Sequence, residues 1–117
     1  MKRLTLLTCV PAIALSLVGC AGHADHVLGA APPQAELASI RTLKPVDAPV
    51  TLHGTMIEKC PVAGCWFMLR DKTGVIKIDT KGAGFVVSSV PLNTEVTVRG
   101  TLMTTGERRI AATGMRF

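Results

Sequence analysis

The sequence predicts a small all-β protein, a five-stranded Greek-key barrel preceded by a signal peptide and a flexible tether. Three observations lead to this prediction. The chain has 117 residues with 11 Gly and 7 Pro, which indicates one domain built from short strands and turns. Apolar and polar residues alternate from residue 49 onward. Two alternating segments carry an inner glycine, which is typical of strands that bend. This length excludes a two-domain enzyme that closes on its substrate.

Residues 1–19 have the pattern of an export signal. A basic start, Met1-Lys2-Arg3, precedes an apolar stretch of about 15 residues, too short for a membrane-spanning helix. The stretch ends in Leu17-Val18-Gly19-Cys20, which resembles the lipobox of bacterial lipoproteins. The resemblance implies that Cys20 is acylated, with palmitate among its acyl groups, and becomes the first residue of the mature protein. The alternative is a plain secretory signal that leaves Cys20 as a free thiol.

The lipobox resemblance also implies a location. A protein acylated at Cys20 is anchored to a membrane of the cell envelope and faces the periplasm. Ala21 stands where some lipoproteins of the inner membrane carry Asp, which favours the outer membrane. Lys2 and Arg3 leave with the signal, so the formal charge of +5 overstates how basic the mature protein is. The remaining charges are scattered, as on a solvated surface, and do not favour nucleic acid as a partner.

Residues 20–48 are expected to form a lipidated start and a flexible tether. They are rich in Ala and Pro and show no strand alternation, which favours an extended spacer. Apolar residues at helical spacing in residues 36–44 indicate at most a short helical turn. His23 and His26, with Asp25 between them, could hold a metal loosely. Nothing around them fixes ligand geometry, however, and this favours a polar tether.

Residues 49–117 are predicted to form five strands. The first begins at residue 50 and alternates between one side (Val50, Leu52 and Met56) and the other (Thr51, His53 and Thr55). The second and third, residues 65–70 and 75–79, form a hairpin through the Asp71-Lys72-Thr73-Gly74 turn. The fourth and fifth cover residues 95–103 and 108–117, while residues 85–90 are ambiguous between a strand and a turn of helix.

Two of these strands share a local sequence, Val50-Thr51-Leu52-His53-Gly54 and Val96-Thr97-Val98-Arg99-Gly100. In a small closed barrel two strands must bend to serve both sheets, and an inner glycine permits that bend. Together with the Gly64-Cys65-Trp66 segment, the pattern resembles the OB-fold, and most of all small exported OB domains of bacteria, many of unknown function. The resemblance covers residues 50–117. The usual helix between the third and fourth strands is reduced here to at most one turn.

Cys60 and Cys65 are expected to form a disulfide. Four residues separate them, and the predicted compartment is oxidising. Cys9 leaves with the signal and Cys20 carries lipid, so this pair remains. A bridge would stabilise the small domain by about 2 kcal/mol on the chain-entropy model.

A soft-metal site is the alternative for the same residues. Cys60, Cys65 and Met68 offer two thiolates and a thioether, a ligand set that suits Cu(I), with Trp66 as a cation–π cover. Three further methionines are candidate helpers: Met56, Met103 and Met115. The inventory is similar to that of small periplasmic OB proteins that carry copper or silver, but the spacing is not. Methionines on strands are more often core residues, and no other cofactor is predicted.

Trp66, Met68 and Arg70 are predicted to lie on the outer face of the second strand, since Phe67 and Leu69 alternate with them and face the core. OB-folds commonly hold ligands on this face. A Trp beside Met and Arg can stack on a sugar, a base or a partner side chain. The alternative is that Trp66 folds over the cysteine loop or is covered by the tether.

The sequence favours no enzyme activity. Its three His are scattered, no Ser or Cys has an adjacent base, and no helix follows Cys65 to lower a thiol pKa. The predicted function is that of a lipid-anchored, non-catalytic module that binds an unidentified envelope protein or glycan. Two alternatives stay open. One is a Cu(I) carrier, and the other is a module for single-stranded nucleic acid or oligosaccharide, with nucleic acid disfavoured because aromatic residues are few.

Overall fold

Six β-strands and two short 3-10 helices make up the part of the chain that the computed structural model describes, residues 26–117. The strands are β1 (Val27–Gly29), β2 (Val50–Lys59), β3 (Trp66–Arg70), β4 (Val75–Asp79), β5 (Glu95–Met103) and β6 (Arg109–Arg116), and the 3-10 helices are Ile40–Thr42 and Lys81–Ala83. The predicted signal peptide, Cys9, Cys20, His23 and Asp25 lie outside the described residues. Within residues 26–117, no helix has the length and apolar character needed to cross a membrane.

The strands β2 to β6 close into a five-stranded barrel. Neighbours run in the order β2, β3, β4, β6, β5, and β5 pairs again with β2. Every pairing is antiparallel except that of β4 with β6, which is parallel and closes the barrel. Between the third and fourth barrel strands, the helical structure consists of the single 3-10 turn Lys81–Ala83. The predicted OB-type Greek-key barrel is therefore confirmed.

The core follows the period-two alternation of the barrel strands. The fully buried side chains include Leu52, Met56, Phe67, Leu69, Ile76, Ile78, Val96, Val98, Ile110 and Met115. Thr51 lies on the opposite side of β2 from Leu52 and is nevertheless only 2% exposed. Residues 36–38 lie across it, with the Ala38 N–H donating to the Thr51 carbonyl at 2.8 Å. The Thr51 hydroxyl accepts a hydrogen bond from the Arg99 guanidinium at 2.8 Å, which satisfies the buried oxygen.

The segment predicted as a flexible tether packs on the barrel from residue 26 onward, and this corrects the prediction. Strand β1 pairs antiparallel with β6, from Val27 opposite Arg116 to Gly29 opposite Gly114. Ile40 is 1% exposed and belongs to the core, so the predicted helical turn is a 3-10 turn that delivers this side chain. The physical reason is that β6 offers unpaired backbone groups, and a three-residue strand can satisfy them without showing any alternation.

His26 takes part in the same docking. Its backbone exchanges hydrogen bonds with Phe117 at 2.8 and 2.9 Å, and its imidazole stacks on the Phe117 ring with centroids 5.0 Å apart. Within the described residues, no group of three or more His, Cys, Asp or Glu side chains could hold a metal ion.

Both inner glycines lie where the barrel requires a bend. At Thr55, strand β2 pairs with Glu95 of β5 and Arg70 of β3, so it changes partner next to Gly54. In β5, the register with β6 shifts between Arg99 and Gly100. A Cβ atom on Gly54 would lie 2.3 Å from the Arg70 carbonyl oxygen, and a Cβ atom on Gly100 would lie 2.5 Å from that of Ala111. Only glycine allows these backbones to approach so closely.

We expect Gly100→Ala to destabilise the protein by about 1–3 kcal/mol, the cost of forcing an atom into a packed site. Gly82→Ala is the matched control, because nothing lies within 4 Å of a Cβ atom at that position. Its effect should stay within about 0.5 kcal/mol. Urea unfolding of the two variants measures both values. Equal stability of the two variants would show that the bend at Gly100 does not need glycine.

Candidate functional site

The outer face of β3 carries the three predicted ligand-binding residues. Phe67 and Leu69 are fully buried, while Trp66 and Met68 are half-buried and Arg70 is exposed. Across the sheet, Trp66 lies opposite Asp79, and Met68 lies between Lys77 of β4 and Glu58 of β2. The predicted orientation of the strand is therefore the observed one. The structure places Trp66, Met68 and Arg70 in one outward row.

The Trp66 ring is in contact with a cation of its own sheet. The Lys77 ammonium lies 5.1 Å from the ring centroid, and the same ammonium pairs with the Glu107 carboxylate at 3.2 Å. An exposed cation–π pair of this kind contributes about 0.5–1 kcal/mol. The two contacts hold Lys77 at one place on the sheet and fix the Trp66 ring beside Met68. The outward row of Trp66, Met68 and Arg70 thus presents an aromatic ring, a thioether and a guanidinium in sequence along the strand.

The loop of residues 60–65 lies at the Trp66 end of this row. The Cys60 N–H donates to the Trp66 carbonyl at 3.1 Å and closes the neck of the loop. On the far side, the Gly64 carbonyl accepts from the Val87 N–H at 2.8 Å, and the Cys65 carbonyl accepts from the Thr80 N–H at 2.9 Å. The loop is pinned at its neck and at Gly64, while Val62 at its tip is 92% exposed.

The sulfur of Cys60 lies among backbone N–H groups of its own loop. The Ala63 N–H donates to it at 3.5 Å, and the N–H groups of Val62 and Gly64 also favour its charged form. Together they lower the pKa of Cys60 to about 7. No lowered thiol pKa was predicted, because no helix follows Cys65, but amides of the loop itself supply the effect. Cys60 and Cys65 are free thiols in the structure, so their disulfide stays a prediction.

The predicted soft-metal set is reduced by the structure. Met56 and Met115 are fully buried in the core, so their predicted role as helpers is wrong. Their positions on inward-facing strand sites account for this, since a thioether fills a core gap well. Cys60, Cys65 and Met68 stay at or beside the loop neck, and Cu(I) binding there stays a prediction.

A cleft of about 580 Å³ lies at the other end of the row and was not predicted. Its walls are residues 37–39, residues 53–55 of β2, the β3–β4 turn at residues 70–73, and Glu95. Arg70 belongs both to the row and to the cleft, so the two surfaces are continuous. The sequence held no signal for this cleft, because one wall is the segment that was expected to be a tether.

His53 and Glu95 form a hydrogen-bonded cluster inside the cleft. His53 Nε2 lies 2.7 Å from a Glu95 carboxylate oxygen, and His53 Nδ1 lies 3.0 Å from the Thr97 hydroxyl. The Thr55 hydroxyl donates to the second Glu95 oxygen at 3.3 Å. The sequence placed His53 and Thr55 on the same side of their strand. The cross-strand register, which brings Glu95 and Thr97 opposite them, was not readable from one sequence.

Asp71 connects the cleft wall to the barrel. Its carboxylate accepts hydrogen bonds from the Ile40 N–H at 2.9 Å, the Thr73 N–H and hydroxyl at 2.6 Å, and the Gly74 N–H at 3.0 Å. Partial burial raises the pKa of this carboxyl, but the hydrogen bonds from Thr73, Ile40 and Gly74 outweigh burial and lower it overall. One side chain thereby shapes the hairpin turn and holds residues 37–41 against it.

The comparisons with known proteins give the fold and no more. No family model and no curated protein matches the chain. A solved structure described as the hypothetical protein YgiW from E. coli superposes with a TM-score of 0.53 at 19% identity. The match covers 75% of this chain and 96% of that one. The superposition supports an OB-like barrel for this chain. At this sequence identity it carries no function with it.

We expect Asp71→Asn to destabilise the protein by about 1–3 kcal/mol at pH 7, because the amide cannot accept from all four donors. The pKa of Asp71 is lower in the folded than in the unfolded protein, so its ionised form stabilises the fold above the unfolded pKa. That stabilisation is lost as the pH falls through the folded pKa. The difference in the free energy of unfolding between wild type and Asp71→Asn should therefore become smaller from about pH 5 downward.

Urea unfolding at several pH values measures this gap. Asp47→Asn serves as the control, since Asp47 is exposed and its carboxylate has no hydrogen bond within residues 26–117. A gap for Asp71→Asn that is unchanged or wider at acid pH would contradict the role assigned to the ionised carboxylate.

Proposed function

We propose that this chain is a lipid-anchored, non-catalytic binding module of the bacterial cell envelope, which recognises an envelope protein or glycan. The observation that supports it best is the outward row of Trp66, Met68 and Arg70, which runs from the cysteine loop to a cleft of about 580 Å³. Ligand sites combine apolar contact area with a few placed polar groups. The row and the cleft together have that composition.

Each residue of the row has a distinct task in this proposal. Trp66 offers ring area for stacking on a sugar or on a partner side chain, at little cost in conformational entropy. Met68 adapts its shape to the ligand beside it. The Arg70 side chain is exposed and has no hydrogen bond or ion pair within the described residues, so its guanidinium is available to carbonyl, carboxylate or hydroxyl oxygens.

The lipid anchor at Cys20 would hold the barrel close to a membrane. The backbone of His26 is hydrogen-bonded to Phe117, so only five residues lie between Cys20 and the docked segment. The distance from Cys20 to His26 is therefore about 22 Å at most. The partner in this proposal therefore lies at or near the membrane surface and not deep in the periplasm.

A photoreactive amino acid at Met68 should cross-link the partner in intact cells. The same amino acid at Leu92, a side chain 48% exposed on the turn before β5, should give no corresponding adduct. Trp66→Ala should lower the yield at Met68 by at least about fivefold, since truncation of a buried aromatic anchor removes much of the binding free energy. Circular dichroism checks that this variant is folded. Equal adducts from the two positions, or a yield indifferent to Trp66, would refute the proposed surface.

Replacing the lipid acceptor tests the anchor separately. We expect Cys20→Ser to shift the protein out of the detergent phase in Triton X-114 partitioning and to abolish labelling with radioactive palmitate, because the acyl chains supply the membrane affinity. Cys65→Ser is the control and should keep both properties. Palmitate label that persists in Cys20→Ser would contradict lipidation at this residue.

A further inference from the structure

The loop of residues 60–65 presents two thiols that differ in their surroundings. The backbone hydrogen bond from the Cys60 N–H to the Trp66 carbonyl brings the two ends of the loop together, so both cysteines stand at its neck. Both are half-buried free thiols beneath an exposed tip. A small solute therefore has access to the loop without any unfolding of the barrel.

Cys60 is the thiol whose sulfur accepts a hydrogen bond from its own loop. The Ala63 N–H donates to this sulfur at 3.5 Å. A backbone N–H that donates to a cysteine sulfur favours the thiolate, as the N–H groups of a helix N-terminus do at other reactive cysteines. The thiolate is the form that attacks a disulfide.

Cys65 is held in place on the other side of the neck. Its carbonyl accepts from the Thr80 N–H at 2.9 Å, and that of Gly64 accepts from the Val87 N–H at 2.8 Å. Gly64 has a φ of +63°, and a Cβ atom there would lie 2.8 Å from the Ser88 nitrogen, so the chain is closely packed at this point. The Cys65 backbone is fixed, whereas residues 61–63 are exposed.

We propose that Cys60 and Cys65 form a thiol–disulfide exchange site for low-molecular-weight disulfides, with Cys60 as the attacking thiol and Cys65 as the resolving thiol. The Cys60 thiolate attacks one sulfur of the small disulfide, its S–S bond breaks, and one thiolate leaves with a proton from solvent. The Cys65 thiolate then attacks the Cys60 sulfur, and the second small thiolate leaves. Two protein thiols are oxidised to one disulfide, and one small disulfide is reduced to two thiols.

This activity goes beyond the binding function proposed for the Trp66 row and does not rest on it. In this proposal the predicted Cys60–Cys65 disulfide is the oxidised form of a reversible pair of thiols. Hydrogen bonds that stabilise the reduced thiolate are lost when the sulfur enters a disulfide, so they make the bond easier to reduce. Closure of so short a loop also stabilises the oxidised form less than closure of a longer loop would.

The test uses the whole chain recovered from the envelope, reduced, desalted and mixed with glutathione disulfide, with adducts located by peptide mass spectrometry. Wild type should end with a Cys60–Cys65 disulfide and two released glutathiones. Cys65→Ser should trap glutathione on Cys60. Cys60→Ser, the matched variant, should react at Cys65 at least about fivefold more slowly, since within residues 26–117 the backbone N–H that donates to a cysteine sulfur donates to Cys60.

A second measurement keeps the proposal testable where a variant folds poorly. In 8 M urea at the same pH, the reaction of Cys60 in Cys65→Ser should slow by at least about threefold, because the unfolded loop no longer directs N–H groups at the sulfur. Equal rates for the two serine variants, an unchanged rate in urea, or a wild type that keeps glutathione on both cysteines would each overturn the proposal.

Discussion

Closure of the barrel around two bent strands is the constraint on which the rest of the molecule depends. At Gly54 the β2 backbone approaches Arg70 so closely that a side chain has no room, and at Gly100 the β5 backbone approaches Ala111 in the same way. These bends let β2 serve both β3 and β5 and let β4 meet β6 in parallel. Without them the sheet would stay open at the edges of β5 and β6, and β4 would not meet β6.

The closed barrel turns β3 into a bridge between two surfaces. At one end its first residue closes the cysteine loop through the Cys60 to Trp66 hydrogen bond, and at the other Arg70 forms part of the cleft. Asp71 follows immediately and anchors residues 37–41 as the cleft wall. A five-residue strand thus connects the cysteine loop, the outward row and the cleft, although only the row is visible in the alternation of its residues.

Residue alternation and turn residues predicted the strand bounds and the outward face of β3. The bounds of β4 and β5 follow from alternation between turn residues, and the outward row follows from the burial of Phe67 and Leu69. Contacts between segments that are far apart in the sequence could not be predicted from these patterns. Strand β1 is too short to alternate, Ile40 is a single apolar residue, and burial of Thr51 depends on a segment 14 positions earlier. The amides around Cys60 depend on loop geometry, which composition does not encode.

The two proposed sites meet at the neck of the cysteine loop. The Cys60 N–H to Trp66 carbonyl bond belongs to both, and Lys59, one residue before it, donates through its ammonium to the carbonyls of Ser88 and Val90. A disulfide at the neck changes the geometry of the residue that carries this bond, and the Trp66 ring is attached at its other end. In the two proposals, Trp66 therefore carries both the ring that a ligand contacts and the carbonyl that closes the cysteine loop.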